Sequence, residues 1–170
     1  MSRPDTLNCT VLTISDTRTP AEDTSGALLA ELLQADGHHL SARELVKDNI
    51  YEIRRVVSQW IADPGIRVII TTGGTGFTGR DSTPEALLPL FDKTIDGFGE
   101  LFRQISYDDI GASTIQSRCV GGLANATLIF ALPGSSNAVR TGWEKILRLQ
   151  LNINTRPCNF IELIPRLNER

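Results

Sequence analysis

The order of apolar and polar positions predicts strands that alternate with helices along most of the chain. Leu7–Ser15 is rich in β-branched residues and almost continuously apolar, as in a buried parallel strand. His39–Val46, Arg67–Thr72 and Thr127–Leu132 have the same character. Alternation of this kind is typical of a three-layer α/β/α fold with a mainly parallel sheet and right-handed crossovers.

Apolar residues at helical spacing predict the helices between these strands. Thr24 is the predicted N-cap of the first helix, which Asp36-Gly37 ends. Asn49, with Glu52 three residues later, has the pattern of a capping box before the second helix. Further helices are predicted from Thr83, over Gly97–Ile110 and after Ser136, and a fifth strand is predicted at Ser117–Gly121.

The most informative segment is TTGGTGFTGRDSTPE, residues Thr71–Glu85, which links a predicted strand to a predicted helix. Its glycines tolerate positive φ and let the main chain approach a ligand closely. The helix start adds unpaired N–H donors and positive potential. The segment therefore predicts a site for a phosphate-bearing ligand. Ligands of such sheets bind beyond the carboxyl ends of the strands, so Ser15-Asp16, Lys47-Asp48 and Leu132–Ser136 are expected to meet this loop.

Two nucleotide-binding motifs match the glycines in part. Gly74–Gly79 reads G-x-G-x-x-G, but a dinucleotide fingerprint opens its helix at the third glycine, whereas Arg80-Asp81-Ser82 intervene here. A P-loop requires Lys-Ser/Thr where this chain has Arg80-Asp81. A purely structural turn is a third interpretation, although four glycines in seven residues would order at a high entropic cost.

Each charged residue near these loops has a functional and a structural interpretation. Asp81 either holds a magnesium ion that bridges phosphates or accepts hydrogen bonds from loop backbone. Asp48 either faces the reacting phosphate or caps the following helix. Arg80 and Ser117-Arg118 either contact the anion or are solvated charges. Leu132–Ser136 is either a second anion cradle or an ordinary loop with a serine cap.

Composition excludes several classes of partner. The 170 residues suit one domain, 1–170, and the net charge of −3 gives no basic footprint for nucleic acid or an anionic membrane. No apolar run reaches the roughly 18 residues of a membrane span, and the N-terminus lacks a signal-type run, so a cytoplasmic protein is expected.

The three cysteines fit neither a disulfide framework nor a zinc site and are expected to be inert. His38 and His39 are expected at the surface or as capping residues.

Four longer motifs together resemble a known family. They are TTGGTGFTGRDSTPEAL (Thr71–Leu87), GFGELFRQIS (Gly97–Ser106), SRCVGG (Ser117–Gly122) and LPGSSNAVRTGWE (Leu132–Glu144). The combination closely resembles the MoaB/MogA/gephyrin G-domain family of molybdenum cofactor biosynthesis. The closing TRPCNF (Thr155–Phe160) is similar to the MoaB branch in particular. The resemblance implies a MogA-like fold.

The resemblance further implies an adenylyltransferase that converts molybdopterin and ATP into adenylyl-molybdopterin and pyrophosphate with Mg²⁺. Asp48 and Asp81 would be catalytic, with the magnesium at Asp81, and no tightly bound cofactor is expected. The implied substrate-binding residues are Ser15, Thr72, Gly73, Gly74, Thr75, Gly76, Arg80, Ser117, Arg118, Pro133, Gly134 and Ser135. Because both aspartates are present, turnover is predicted; the alternative is a non-catalytic molybdopterin-binding or scaffold protein. The family forms homo-trimers or homo-hexamers, and other enzymes of the pathway are candidate partners.

Overall fold

The computed structural model describes residues 6–169, in which the strands form a six-stranded sheet. The strands are β1 (Asn8–Ile14), β2 (His39–Val46), β3 (Val68–Thr72), β4 (Lys93–Thr94), β5 (Gly121–Ala124) and β6 (Thr127–Leu132). Their order across the sheet is β2-β1-β3-β6-β5-β4. β2, β1, β3 and β6 pair in parallel, whereas β5 is antiparallel to both of its neighbours. The predicted mainly parallel sheet is therefore confirmed.

The helices cover both faces of this sheet. They are α1 (Thr24–Ala35), α2 (Ile50–Ala62), α3 (Thr83–Leu87), α4 (Asp96–Ile110), α5 (Ser136–Gly142) and α6 (Phe160–Leu163). α5 continues through a π-helical stretch, Trp143–Leu147, and a last turn, Arg148–Gln150. One buried cluster joins α1, α4 and α5 to the sheet, and a second joins α2 and α3 to the other face. The chain thus has the three layers that its sequence predicts.

Alternation within the strands divides the core between the two faces. Val11 and Ile70 belong to the cluster under α1, α4 and α5. Leu12 and Ile69, their neighbours along the same strands, belong to the cluster under α2 and α3. Successive side chains of a strand lie on opposite faces, so a strand covered on both sides is apolar at nearly every position. This is why the central strands could be recognised in the sequence.

The predicted strand at Ser117–Gly121 is wrong, because β5 begins only at Gly121. The Arg118 N–H donates to Thr75 O at 2.9 Å, so the backbone here binds the glycine loop before it joins the sheet. The edge strand β4 was not predicted; with two residues it is too short for a detectable alternation.

The predicted cap of α1 is wrong, and that of α2 is confirmed without its capping box. Asp23 caps α1, since its Oδ1 accepts from the Gly26 N–H at 3.0 Å, and Thr24 is the first helical residue. Asn49 caps α2 as predicted and accepts from two backbone N–H groups. The reciprocal half of the capping box is absent, because the Asn49 N–H donates to Lys47 O and Glu52 accepts from Arg55. Short polar side chains compete for the same N-terminal donors, and the tertiary packing decides which one is used.

The histidines and cysteines show the effect of burial. His38 is buried, its Nδ1 accepts from the Leu7 N–H at 3.3 Å, and its ring packs edge-on against Trp143, so its predicted surface position is wrong.

Burial raises the pKa of the Cys9 and Cys119 thiols to about 12, which makes both inert at neutral pH. Cys158 is exposed and also a free thiol. In residues 6–169, no helix combines the length and apolar character needed to cross a membrane.

Candidate functional site

The four loops that the sequence predicts at one edge of the sheet do meet there. The Gly73 N–H donates to Leu132 O at 3.0 Å, which joins the glycine loop to the loop after β6. Thr72 Oγ1 reinforces this link by donating to Pro133 O at 2.9 Å. The Asp48 N–H donates to Asp16 Oδ1 at 3.1 Å, which joins the loops after β1 and β2. All of these contacts lie at or just beyond the carboxyl ends of parallel strands.

A cavity of about 590 Å³ opens between the loops that follow β1, β3 and β6. Its lining includes most of the residues expected to bind substrate: Ser15, Gly73, Gly74, Thr75, Gly76, Ser117, Pro133, Gly134 and Ser135, together with Asp81. It also includes residues that sequence reasoning did not select, among them Arg18, Asp109 and Asn137. Thr72 is buried behind this lining, through its bond to Pro133 O. The size suits a small organic molecule.

Glycine is required at the start of the loop. Gly73 has φ +104° and Gly74 has φ +65°, both in the left-handed region. A Cβ at Gly73 would collide with the carbonyl oxygen of Ile14, and one at Gly74 would lie 2.7 Å from Asp48 Oδ2. The backbone therefore passes directly between β1 and Asp48, and its amides can reach a ligand without a side chain intervening.

Asp48 lies against Gly74, and Ser82 holds its carboxylate. Ser82 donates to Oδ1 from its hydroxyl at 2.5 Å and from its N–H at 3.1 Å. Burial raises the pKa of Asp48 above its ordinary value despite these bonds, and the nearby carboxylates Asp16 and Asp81 raise it further. Asn49 supplies the cap of α2, so the interpretation of Asp48 as that cap is wrong. Asp48 borders a separate hollow of about 230 Å³ that Tyr51 and Arg80 also line.

Asp81 accepts hydrogen bonds within its own loop, which is one of its two predicted roles, and it also lines the cavity. Its Oδ2 accepts from the Thr78 N–H at 2.9 Å and from Thr78 Oγ1 at 2.7 Å, so it does satisfy loop donors. It also lines the cavity. Burial alone would raise the pKa of Asp81, but the Thr78 and Gly76 hydrogen bonds and the nearby Arg118 charge hold it below its ordinary value. Asp81 is therefore an ionised acid at the cavity wall at neutral pH.

The two arginines expected to bind substrate have their guanidinium groups outside the cavity. Arg80 donates to Asp16 Oδ2 from Nε at 2.9 Å and from Nη2 at 2.6 Å. Arg118 donates to the loop carbonyls of Gly76 and Asp81 and pairs with Glu85. Neither side chain was assigned a partner of this kind from the sequence, because each partner belongs to another loop or turn.

Arg18 lines the cavity, whereas Arg80 and Arg118 do not. Among the described residues that line the cavity, it carries the one formal positive charge. Its Nη1 donates to Ser25 Oγ at 2.6 Å and its Nη2 to Gly134 O at 2.9 Å, which fixes the guanidinium between α1 and the loop after β6. Its position in the same loop as Ser15, just after β1, was the available signal in the sequence.

The acidic residues at this edge suit magnesium only in part. The described residues contain no group of three or more His, Cys, Asp or Glu arranged to hold a metal. Magnesium is commonly held by one or two carboxylates together with substrate phosphates. Asp81 and Asp48 supply such oxygens. Burial, and after it the nearby carboxylates Asp16 and Asp81, raise the pKa of Asp48, so a cation beside it would favour its ionised form. The donor set therefore fits a magnesium ion that arrives with a phosphate ligand.

The fold and this site together define a three-layer α/β protein with a cavity between loops at the carboxyl edge of its sheet. Residues 10–152 match the family described as "Probable molybdopterin binding domain". Over 150 residues, covering 88% of each chain, the sequence is 54% identical to molybdenum cofactor biosynthesis protein B of Escherichia coli strain K12. The chain belongs to the MoaB/MogA family of molybdenum cofactor biosynthesis proteins.

Solved structures agree with this assignment. A crystal structure of molybdenum cofactor biosynthesis protein B superposes with a TM-score of 0.84 at 45% identity and covers 89% of this chain and 94% of its own. A structure of MogA superposes with a TM-score of 0.75 at 28% identity and covers 85% of this chain and 97% of its own. The predicted MogA-like fold is therefore confirmed.

Proposed function

We propose that this protein is a molybdopterin adenylyltransferase. The observation that carries the proposal is the cavity of about 590 Å³ between two loops rich in N–H and hydroxyl donors, with Asp81 in its wall and Asp48 against Gly74. Molybdopterin, which ends in a phosphate, would bind in this cavity. The triphosphate of ATP would lie in the hollow that Asp48 and Arg80 border. Both substrates would then approach each other across the glycine loop.

The reaction needs positioning more than covalent help from the protein. A terminal phosphate oxygen of molybdopterin attacks the α-phosphorus of ATP. The bond from that phosphorus to the bridging oxygen breaks, and pyrophosphate leaves with the electron pair. The backbone amides of Gly74 and Thr75, the hydroxyls of Ser117 and Ser135 and the guanidinium of Arg18 hold the attacking group. Arg80 can leave Asp16 to neutralise the polyphosphate.

Asp81, with Asp48 beside it, would hold the magnesium ion. The ion, when bound, supplies neutralisation of the charge that develops on the phosphates. Asp48 contributes a partly buried carboxylate whose orientation Ser82 fixes. Because the whole chain is acidic, this local neutralisation should control binding more than bulk ionic strength does.

The test is an incubation of the protein with molybdopterin, ATP and magnesium, with adenylyl-molybdopterin detected by mass spectrometry. Asp48→Asn and Asp81→Asn should abolish turnover and retain most molybdopterin binding, whereas the exposed Asp108→Asn is a matched control that should retain both. Folded wild-type protein that binds molybdopterin without forming product would identify a non-catalytic binding or scaffold protein. Absence of both binding and product would contradict the proposal altogether.

We also propose that the protein acts in the cytoplasm as a homo-trimer or homo-hexamer, alone or with other enzymes of molybdenum cofactor biosynthesis. Large apolar side chains on its surface support self-association, among them Ile115, which is 80% exposed, and Tyr107, which is 60% exposed. Sedimentation equilibrium measures the oligomeric state directly. A monomer at micromolar concentration would contradict this part of the proposal.

A further inference from the structure

We propose that Arg118 is a positioning residue that fixes the glycine loop, and with it Asp81, from outside the cavity. This inference rests on the proposed function, because the consequence of a displaced Asp81 is argued from the role that Asp81 has there. It assigns Arg118 a role different from substrate contact. The argument depends on where each of its hydrogen bonds goes.

Arg118 holds three carbonyl groups of the loop at once. Its backbone N–H donates to Thr75 O at 2.9 Å. Its Nε donates to Gly76 O at 2.6 Å, and its Nη2 donates to Asp81 O at 2.9 Å. The two side-chain bonds span the most exposed part of the loop, from one end to the other. One residue thus fixes the distance between the two ends of the segment 76–81.

Arg118 is itself held in place. Its Nη1 pairs with Glu85, which lies in the first turn of α3, and its guanidinium lies 5.7 Å from the centre of the Phe77 ring. α3 is anchored in the core through the buried residues Ala86 and Leu87. Cys119, the next residue along the chain, is buried as well. The guanidinium therefore connects an exposed loop to buried parts of the fold.

The bonds of Asp81 itself do not fix its place in the cavity. Its carboxylate accepts from Thr78, and its N–H donates to Thr78 O, so these bonds stay within the loop and move with it. A carboxylate that must act on a phosphate has to be placed to within a fraction of an ångström. Among the described residues, Arg118 is the residue outside the loop that holds the Asp81 backbone by a side chain.

Lysine cannot replace this arrangement. The planar guanidinium presents donors in a fixed fork, so Nε, Nη1 and Nη2 can reach three separate acceptors together. A lysine ammonium keeps the positive charge but concentrates its donors on one atom at the end of a flexible stem. Arg118→Lys therefore separates the geometric role from the charge.

The experiment compares Arg118→Lys with Arg103→Lys. Arg103 is a matched control, because it is a neighbouring arginine whose side chain makes one hydrogen bond, to Ser117 O at 3.3 Å. We expect Arg118→Lys to lower kcat by roughly tenfold or more while the KM for molybdopterin changes by less than about threefold. We also expect faster amide hydrogen exchange in residues 76–81 and a higher magnesium concentration for half-maximal rate. Arg103→Lys should leave all four quantities near the wild-type values.

Glu85→Gln provides a second variant should Arg118→Lys fail to fold. It removes the ion pair that anchors Arg118 and leaves the loop carbonyls in place, so a smaller change in the same direction is expected. A rise in the KM for molybdopterin with kcat unchanged would overturn the inference, because Arg118 would then bind substrate directly. Faster exchange with an unaltered kcat would also overturn it. If the wild type makes no product, the proposed function fails. Unchanged amide hydrogen exchange of residues 76–81 in the variants separately refutes the positioning role of Arg118.

Discussion

Ser82 donates two hydrogen bonds to a single carboxylate oxygen of Asp48, from its hydroxyl at 2.5 Å and from its backbone N–H at 3.1 Å. The residue that follows Asp81 in the chain therefore orients Asp48. The two aspartates that the proposed function requires are coupled through this contact, because Ser82 belongs to the same loop as Asp81. The contact also has a measurable electrostatic effect.

Ser82→Ala should move the acidic limb of the pH–rate profile to higher pH and lower kcat. Burial raises the pKa of Asp48 and the Ser82 hydrogen bonds lower it, so removal of the hydroxyl leaves a carboxylate that is protonated more readily. In the proposal the ionised form of Asp48 is the active one. A higher pKa leaves less of that form at a given pH, so the rate falls at a higher pH than in the wild type. The measurement is kcat against pH, with the exposed Ser58→Ala as control. An unchanged profile would show that Asp48 is not the group that titrates.

Arg18→Gln should weaken molybdopterin binding roughly tenfold to a hundredfold. A hydrogen bond to a charged group is worth about 1.5–3 kcal/mol, and each 1.4 kcal/mol is about a factor of ten in affinity. Calorimetric titration of molybdopterin measures the effect. Arg55→Gln, on the exposed face of α2, is the control for loss of one positive charge. Equal affinity in wild type and the Arg18 variant would place the anionic end of the ligand elsewhere.

Gly74→Ala should destabilise the fold and abolish activity, whereas Gly79→Ala should be tolerated. Gly74 has φ +65°, and its new Cβ would press against Thr83 and Asp48. Left-handed backbone costs a non-glycine residue about 1–2 kcal/mol, to which the collision adds. A Cβ at Gly79 meets no atom within 4 Å, so the expected change is within about 0.5 kcal/mol. Urea denaturation gives both free energies of unfolding, and similar losses in the two variants would disprove this account of the loop.

The stability of the protein should fall as the pH drops from about 7 to 5, because His38 is held neutral. Burial lowers the pKa of His38 in the folded state, against an opposing effect of Asp36. Its Nδ1 accepts from the Leu7 N–H, which only the unprotonated nitrogen can do. A lowered folded-state pKa means that the unfolded chain binds the proton first. The stabilisation is thus present above the unfolded pKa of about 6.5 and is lost below it.

Thermal denaturation across this pH range tests the role of His38. His38→Gln should flatten the dependence at some cost in stability at pH 7, and the exposed His39→Gln should leave it intact. His38→Gln with the wild-type slope would assign the dependence to other groups.

The fold was predictable where periodicity is strong. β2 and β6 have the predicted bounds, because each carries a pattern over several residues. β6 is buried throughout, and the edge strand β2 begins with alternating exposed and half-buried positions. The two-residue strand β4 carries too few positions for such a pattern. Ser117–Gly121 has strand-like composition, yet its backbone bonds to the glycine loop at Thr75, and composition does not record which partner a backbone chooses.

By itself the sequence determined the layered fold, the two loops that form the cavity, and the presence of both aspartates, because these features follow from residues close together along the chain. Only the tertiary structure decided which charged side chains line the cavity. Arg18 lies in the cavity through a bond to Gly134, 116 positions away, and Arg118 lies outside it through a bond to Gly76, 42 positions away. A long cationic side chain takes its direction from the acceptors within its reach, and folding alone brings those acceptors to it.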